Sequence, residues 1–588
     1  MGLLLVVGAV ALAVAAALLR PPAALGVLVA TVVLVPGSLT VPGAPGVLTV
    51  HRLVLAGALV GVVRRCHRRE LPWSLFRPPA LVYRLLLVVG LLAIIGVGLL
   101  QPATDASAAA RNWQALALQV PFLIGWVVLV RACDDLVVAV SVLVVATLAS
   151  AVVALLEAVT GASYARWWFH FVPSLLASDQ AQVLATRGGH VRVRAAADFT
   201  LAFAWVTAAV LPLLLVLAAV RRRARLPLLV LGLPVLVTAV VLTYSRTVVV
   251  PLVLVVVVLA AVLRERGIRV AAAVVLLGVI AVLVGDPGLA AQFTAAADTG
   301  SIDVRVERLP VIGTLVAAHP WTGLGISGLS TQGISATDSS YLLSYAEVGV
   351  LGLAALVGVI VSAVGESLLA LRSPSRPERL VALGAAVGLV VLAAGTFTFD
   401  TFSVPAAAET FWLLAALGLV AQDGLRPPRR VLGLGGRVGA VLAAAVAGLL
   451  LRAVAPTHAA QTWQFESLLP YPATVAAATY TGTELRTTFC TLARAALPDA
   501  TMTCQSTGDA PGQGLLRLQA GSAAGVQAEK AAVLGAAAKA PPLSRLQLQT
   551  RGPLVVGKPT GLRTAPGWLP LLVAVWVLPV PGRRRVRR

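Results

Sequence analysis

Arg246 ends the run Leu242-Thr243-Tyr244-Ser245-Arg246 at the mouth of an apolar segment. A guanidinium carries a planar fork of donors that fits a phosphate or diphosphate, so this arginine can clamp such an anion. The competing reading is a side chain snorkelling to a lipid headgroup. Downstream lies a polar stretch with Asp298, Asp303, Arg305, Glu307 and Arg308, followed by His319-Pro320-Trp321-Thr322-Gly323-Leu324-Gly325. Asp338-Ser339-Ser340-Tyr341-Leu342 and Glu347-Val348-Gly349-Val350-Leu351-Gly352 come next. Asp338 can take a proton from a sugar hydroxyl. Alternatively, Asp338 or Ser339 is an ordinary helix N-cap. Glu347 falls roughly two helical turns beyond Asp338, near a membrane entrance. A carboxylate there is costly and calls for a partner or a task. Its bland role is to pair with an arginine or cap a loop. Proline and glycine between His319 and Gly325 predict a fixed turn rather than a helix.

These residues must be held by membrane helices. Of 588 residues, 59% are hydrophobic and only 12% charged, too little polar surface to cover a soluble core. Apolar runs of near-spanning length recur at 2–19, 23–36, 48–63, 84–100, 115–130, 136–156, 199–219, 226–242, 247–262, 268–284, 342–363, 380–394, 406–421, 438–454 and 568–580. They predict about fifteen spans, give or take two. The first lacks the basic start and polar sequel of a signal peptide and is read as a span. Arginine clusters at 64–69, 221–225, 264–269, 372–379, 426–430 and 583–588 fall on one side when the helices alternate, and that side should be the cytoplasm. The formal charge of +22 then needs no nucleic-acid partner. The opposite side receives 37–47, 101–113, 157–198, 243–246, 285–341, 395–405 and 455–567.

Segment 157–198 carries Tyr164, Arg166, Trp167, Trp168, His170, His190, Arg192 and Arg194. Its tryptophans suit an interfacial belt. Segment 455–567 is long enough for a small α+β domain, with helices over Thr474–Leu492 and Gly525–Ala540 and strands over Gly514–Gln519 and Leu543–Gln549. Cys490 and Cys504 share this segment and can form one disulfide in an oxidising compartment. Cys66 and Cys133 should lie at cytoplasmic helix ends.

The order of these motifs resembles the O-antigen ligase and Wzy-type polysaccharide polymerase superfamily. The resemblance rests on Tyr244-Ser245-Arg246, Arg305, His319 to Gly325, Asp338 to Leu342 and Glu347 to Gly352, and covers roughly residues 1–425. It implies an all-α polytopic core of GT-C-like type with a large external loop over 285–341. It also implies metal-independent glycosyl transfer without a cofactor. Asp338 stands where ligases of the superfamily commonly have histidine, and Ser339 where asparagine is frequent, so the acidic form looks closer to polymerases. Residues 438–580, with two membrane helices around the external domain at 455–567, resemble a Wzz-type chain-length determinant, a module that can form homo-oligomers.

The resemblance implies polymerisation of polyprenyl-diphosphate-linked repeat units on the outer face of a bacterial cytoplasmic membrane. Arg246, Arg305 and one of Arg192 or Arg194 would hold the diphosphate, with Arg308, His319 and Tyr341 also at the substrate. Asp338 would orient or deprotonate the acceptor hydroxyl, supported by Glu347. One alternative is a ligase moving finished glycan to a lipid, cell-wall or protein acceptor. A transporter of lipid-linked glycan would instead carry charges near the bilayer midplane on paired broken helices. A purely structural assembly platform is the remaining alternative.

Overall fold

The computed structural model describes residues 2–37, 39, 49–76, 88–92, 96, 117–165, 184, 186–187, 190–263, 265–285, 312–313, 315–317, 319–331, 339–422, 458–467, 501–506, 513–520, 532, 546–550 and 555–557. The helices among them are α1 (Gly2–Leu18), α2 (Pro21–Leu34), α3 (Val50–His67), α4 (Gln119–Ala132), α5 (Leu136–Thr160) and α6 (Thr200–Val220). They continue with α7 (Arg222–Val241), α8 (Arg246–Leu263), α9 (Arg266–Gly285), α10 (Ser340–Leu369), α11 (Arg376–Gly395) and α12 (Pro405–Val420). Each coincides with an expected span. The spans expected at 438–454 and 568–580 lie outside the described residues, and that at 84–100 is described only at 88–92 and 96. Among the described residues, α5, α6, α7, α10 extended to Arg372, and α11 are long and apolar enough to cross a membrane. The chain is a predominantly α-helical, multi-pass membrane protein.

The centre of the bundle is α6, apolar all round and buried along nearly its whole length. It packs against α5, α7, α11 and α12. Helices in a bilayer associate through close packing rather than water exclusion, and small side chains allow it. Ala202, Ala204, Ala208, Ala209 and Ala218 of α6 are all buried. Two buried indoles are paired, as lipid surroundings favour: the Trp412 Nε1–H donates to Gln119 Oε1 at 2.6 Å, and the Trp205 Nε1–H to Thr398 Oγ1 at 3.0 Å. Asp135 caps α5 by accepting the Val137 N–H at 2.8 Å, a bond typically worth about 1 kcal/mol.

The two ends of the bundle differ. At one, Glu265 before α9 pairs with Arg225 of α7 at 3.3 Å and Arg376 of α11 at 3.2 Å. Three of the arginine clusters expected on one side therefore meet. The other end gathers the turn 242–245, the segment 192–199, the start of α10 and the loop 396–404. A short antiparallel pair, β1 (Thr186–Arg187) and β2 (His190–Val191), leads into Arg192.

Among the described residues of 455–567, five strands form an antiparallel sheet: β3 (His458–Ser467), β4 (Thr501–Ser506), β5 (Gln513–Ala520), β6 (Leu546–Thr550) and β7 (Val555–Gly557). The order is β4-β5-β3-β6, with β7 also pairing β3. Trp463 sits opposite Leu516 and Thr550, and Cys504 opposite Leu516. The two expected strands fall on β5 and β6. Helix Thr474–Leu492, nearly all of Gly525–Ala540, and Cys490 with its expected disulfide to Cys504 lie outside the described residues.

Candidate active site

The turn between α7 and α8 is tight. Tyr244 adopts φ +51°, a left-handed conformation uncommon for a side-chain-bearing residue. Thr243 and Ser245 beside it are fully or almost fully buried. Arg246 then opens α8, so the backbone places it at a helix N-terminus, where unpaired N–H groups favour an anion. Arg192 lies against this turn: its Nε donates to the Thr243 carbonyl at 2.9 Å and its Nη2 to Ser245 Oγ at 3.2 Å. The Val193 N–H donates to the Leu242 carbonyl at 3.4 Å.

Arg194, two residues on, has a different setting. It is 4% exposed, and its guanidinium donates to Ser163 Oγ at 3.2 Å and the Asp198 carbonyl at 3.5 Å. Burial pushes this guanidinium below its usual range, and the charges of Glu157 and Asp198 oppose that shift. Of the two arginines considered together in the sequence, Arg192 meets the Tyr244-Ser245 turn, whereas Arg194 is engaged in the packing beneath it.

The expected fixed turn at His319–Gly325 is present, and it crosses α10 at a break. Gly349 has φ +72° and ψ −165°, a region essentially closed to other residues. There the helical hydrogen bonds are replaced by bonds to the crossing segment. The Leu324 N–H donates to the Ala346 carbonyl, the Gly325 N–H to the Glu347 carbonyl and the Val350 N–H to the Pro320 carbonyl, each at 2.9 Å. A Cβ on Gly323 would lie 2.5 Å from the Glu347 carbonyl carbon, and one on Gly349 would lie 2.4 Å from that of Trp321. Both glycines are therefore required by the close approach of two backbones. The apolar run 342–363 predicts an unbroken span through this motif, whereas the helix is interrupted at Gly349.

Glu347 caps this crossing: its Oε1 accepts the Ser327 N–H at 2.8 Å. Its side chain also lines a cavity of ≈ 190 Å³ whose wall includes Leu91, Gln119, Leu343, Asp400 and Trp412. Asp400 accepts from Ser340 Oγ at 2.5 Å and from Ser403 Oγ. Two carboxylates thus face a mainly apolar chamber beside the start of α10. The N-cap of α10 is Ser339, whose Oγ accepts the Leu342 N–H and donates to the Thr396 carbonyl. Tyr341 donates through its hydroxyl to the Ala393 carbonyl at 3.1 Å and stacks near Phe397, which ties α10 to α11. His319 is exposed at the rim of the crossing. Arg305, Arg308 and Asp338 lie outside the described residues.

Sequence reasoning passed over Asp400 and Glu157. Asp400 was detectable as the sole charged residue of the loop 395–405, and Glu157 as the sole charge of α5. No curated protein matches the chain. One family model does match, over residues 231–357, which is narrower than the 1–425 expected from the motifs and stops well short of 438–580. That stretch spans the Arg246 turn, the crossing and Glu347. It matches the O-antigen ligase family, which supports a role in glycan-transfer chemistry.

Proposed function

We propose that the protein transfers a glycan from a polyprenyl-diphosphate carrier to an acceptor hydroxyl on the outer face of a bacterial cytoplasmic membrane, acting as a ligase. The observation that carries this is Arg192 seated on the turn that delivers Arg246, within bond reach of Ser245. Arg192 beside a helix N-terminus that begins with Arg246 makes a site for a diphosphate, and both arginines stabilise the charge that grows on it as it leaves. We assign Arg305 to the same diphosphate from the order of the motifs in the sequence.

The acceptor hydroxyl attacks the anomeric carbon, the bond from that carbon to the diphosphate oxygen breaks, and polyprenyl diphosphate departs. The hydroxyl proton passes to Asp338 as general base. Glu347 and Asp400 orient the acceptor from the cavity wall, accepting hydrogen bonds from its other hydroxyls. The family description favours the ligase over repeat-unit polymerisation. Polymerisation is the second reading, favoured by the acidic Asp338 in the position where ligases resembling this chain have histidine. On that reading the sheet at 458–557 belongs to a domain that controls chain length.

Mass analysis of the lipid-linked glycans that accumulate when the gene is removed separates the two. Long chains on the carrier support the ligase, and single repeat units support the polymerase. Movement of intact lipid-linked glycan with no new glycosidic bond would overturn both in favour of transport.

A further inference from the structure

The only charged residue of α5 is Glu157, in its last turn. It is 2% exposed. A carboxylate buried this deeply at a span end needs every lone pair directed at a donor. Its Oε1 accepts the Tyr164 N–H at 2.8 Å, and its Oε2 accepts the N–H groups of Arg194 at 2.9 Å and Ala195 at 2.7 Å. The Arg194 guanidinium supplies the balancing charge and reaches Ser163. Ala195 has φ +49°, a conformation that two adjacent N–H groups pointing at one oxygen help to hold. One carboxylate thus fastens residues 163–164 and 194–195 to the end of α5.

The consequence appears immediately upstream. From this fastened segment the Val193 N–H reaches the Leu242 carbonyl, and Arg192 reaches Thr243 and Ser245. We infer that Glu157 is a positioning residue: by clamping the Arg194-Ala195 backbone it sets the Arg192 guanidinium against the turn before Arg246, and so presents the pair that receives the diphosphate. It touches no substrate. The inference rests on the diphosphate-binding reading of Arg192, and the test keeps the two apart.

The test uses the full chain in lipid nanodiscs, with farnesyl diphosphate as the probe and calorimetry as the readout. Glu157→Ala is expected to weaken binding about tenfold, the size of one or two lost charge-assisted hydrogen bonds. In an Arg192→Ala background the same substitution is expected to add nothing, because the residue it positions is gone. Glu157→Gln leaves one oxygen for Arg194 and Ala195 and is expected to recover part of the loss. An equal loss on both backgrounds marks a general loosening of the fold and overturns the inference. So does wild-type affinity in Glu157→Ala when Arg192→Ala is weakened. Wild-type affinity in Arg192→Ala itself overturns the diphosphate reading, and the inference with it. Where Glu157→Ala does not insert, the same cycle is run with Glu157→Gln, whose amide cannot serve all three N–H groups; a smaller loss confined to the Arg192 background is then expected, and any other pattern overturns the inference.

Discussion

Among the described residues, arginines crowd one end of the helical bundle and are few at the other, where Arg194 is buried. At the crowded end Arg376 is 61% exposed in its side chain and shares Glu265 with Arg225. The Arg376 pair is solvated and screened, worth about 0–1 kcal/mol. Arg225 is also held there by the carbonyls of Ala218 and Ala219, and the cluster as a whole marks a side of the membrane. At the opposite end Arg194 is 4% exposed, and Arg192 is fixed to a turn by two bonds. Water cannot complete a buried shell, so the surrounding backbone has to do so. The difference is one of burial: Arg376 keeps its charge near water at one end, and Arg194 has its charge closed off at the other.

That contrast can be broken by substitution, starting where the effect should be greatest. Arg246→Ala is expected to abolish glycan transfer while membrane insertion persists; normal product yield in that variant would remove the turn from the site. Gly349→Ala should come next. The backbone conformation alone costs about 1–3 kcal/mol, and the new Cβ would meet Trp321 at 2.4 Å. A large fall in melting temperature is expected, with transfer lost, and an unchanged melting curve would contradict the crossing. Asp400→Asn keeps an oxygen for Ser340 but loses the charge. Turnover is expected to fall about tenfold, the equivalent of one charge-assisted hydrogen bond, at near-normal stability. The smallest effect is expected from Glu265→Ala, a destabilisation below about 1 kcal/mol with transfer intact. A loss of transfer there comparable to Asp400→Asn would erase the distinction between the two ends.

Much of the helical layout could be read from composition, because a bilayer demands long apolar runs and leaves arginines in loops. The turn at Arg246 was legible for the same reason: it is where two such runs meet. Ser339 was foreseen as a cap candidate, since a hydroxyl before an apolar helix has a local signature. Other features depend on partners far along the chain. Choosing between Arg192 and Arg194 required Glu157, and Asp400 acquires meaning only beside Ser340, 60 residues earlier. The interruption at Gly349 was hidden because Glu347 to Gly352 has the composition of an ordinary helix. Only the return of His319–Gly325 across it opens the backbone.

That crossing also bears on the order in which the protein assembles. Ser327 and Glu347 are 20 residues apart, whereas Gln119 and Trp412, which join α4 to α12, are 293 apart. Closing a short loop costs less chain entropy than closing a long one. The broken helix and its crossing turn can therefore knit together as soon as α10 enters the bilayer, before α12 has been synthesised. The segment shared with the ligase family would be built early, as a local unit, and the rest of the bundle would close around it.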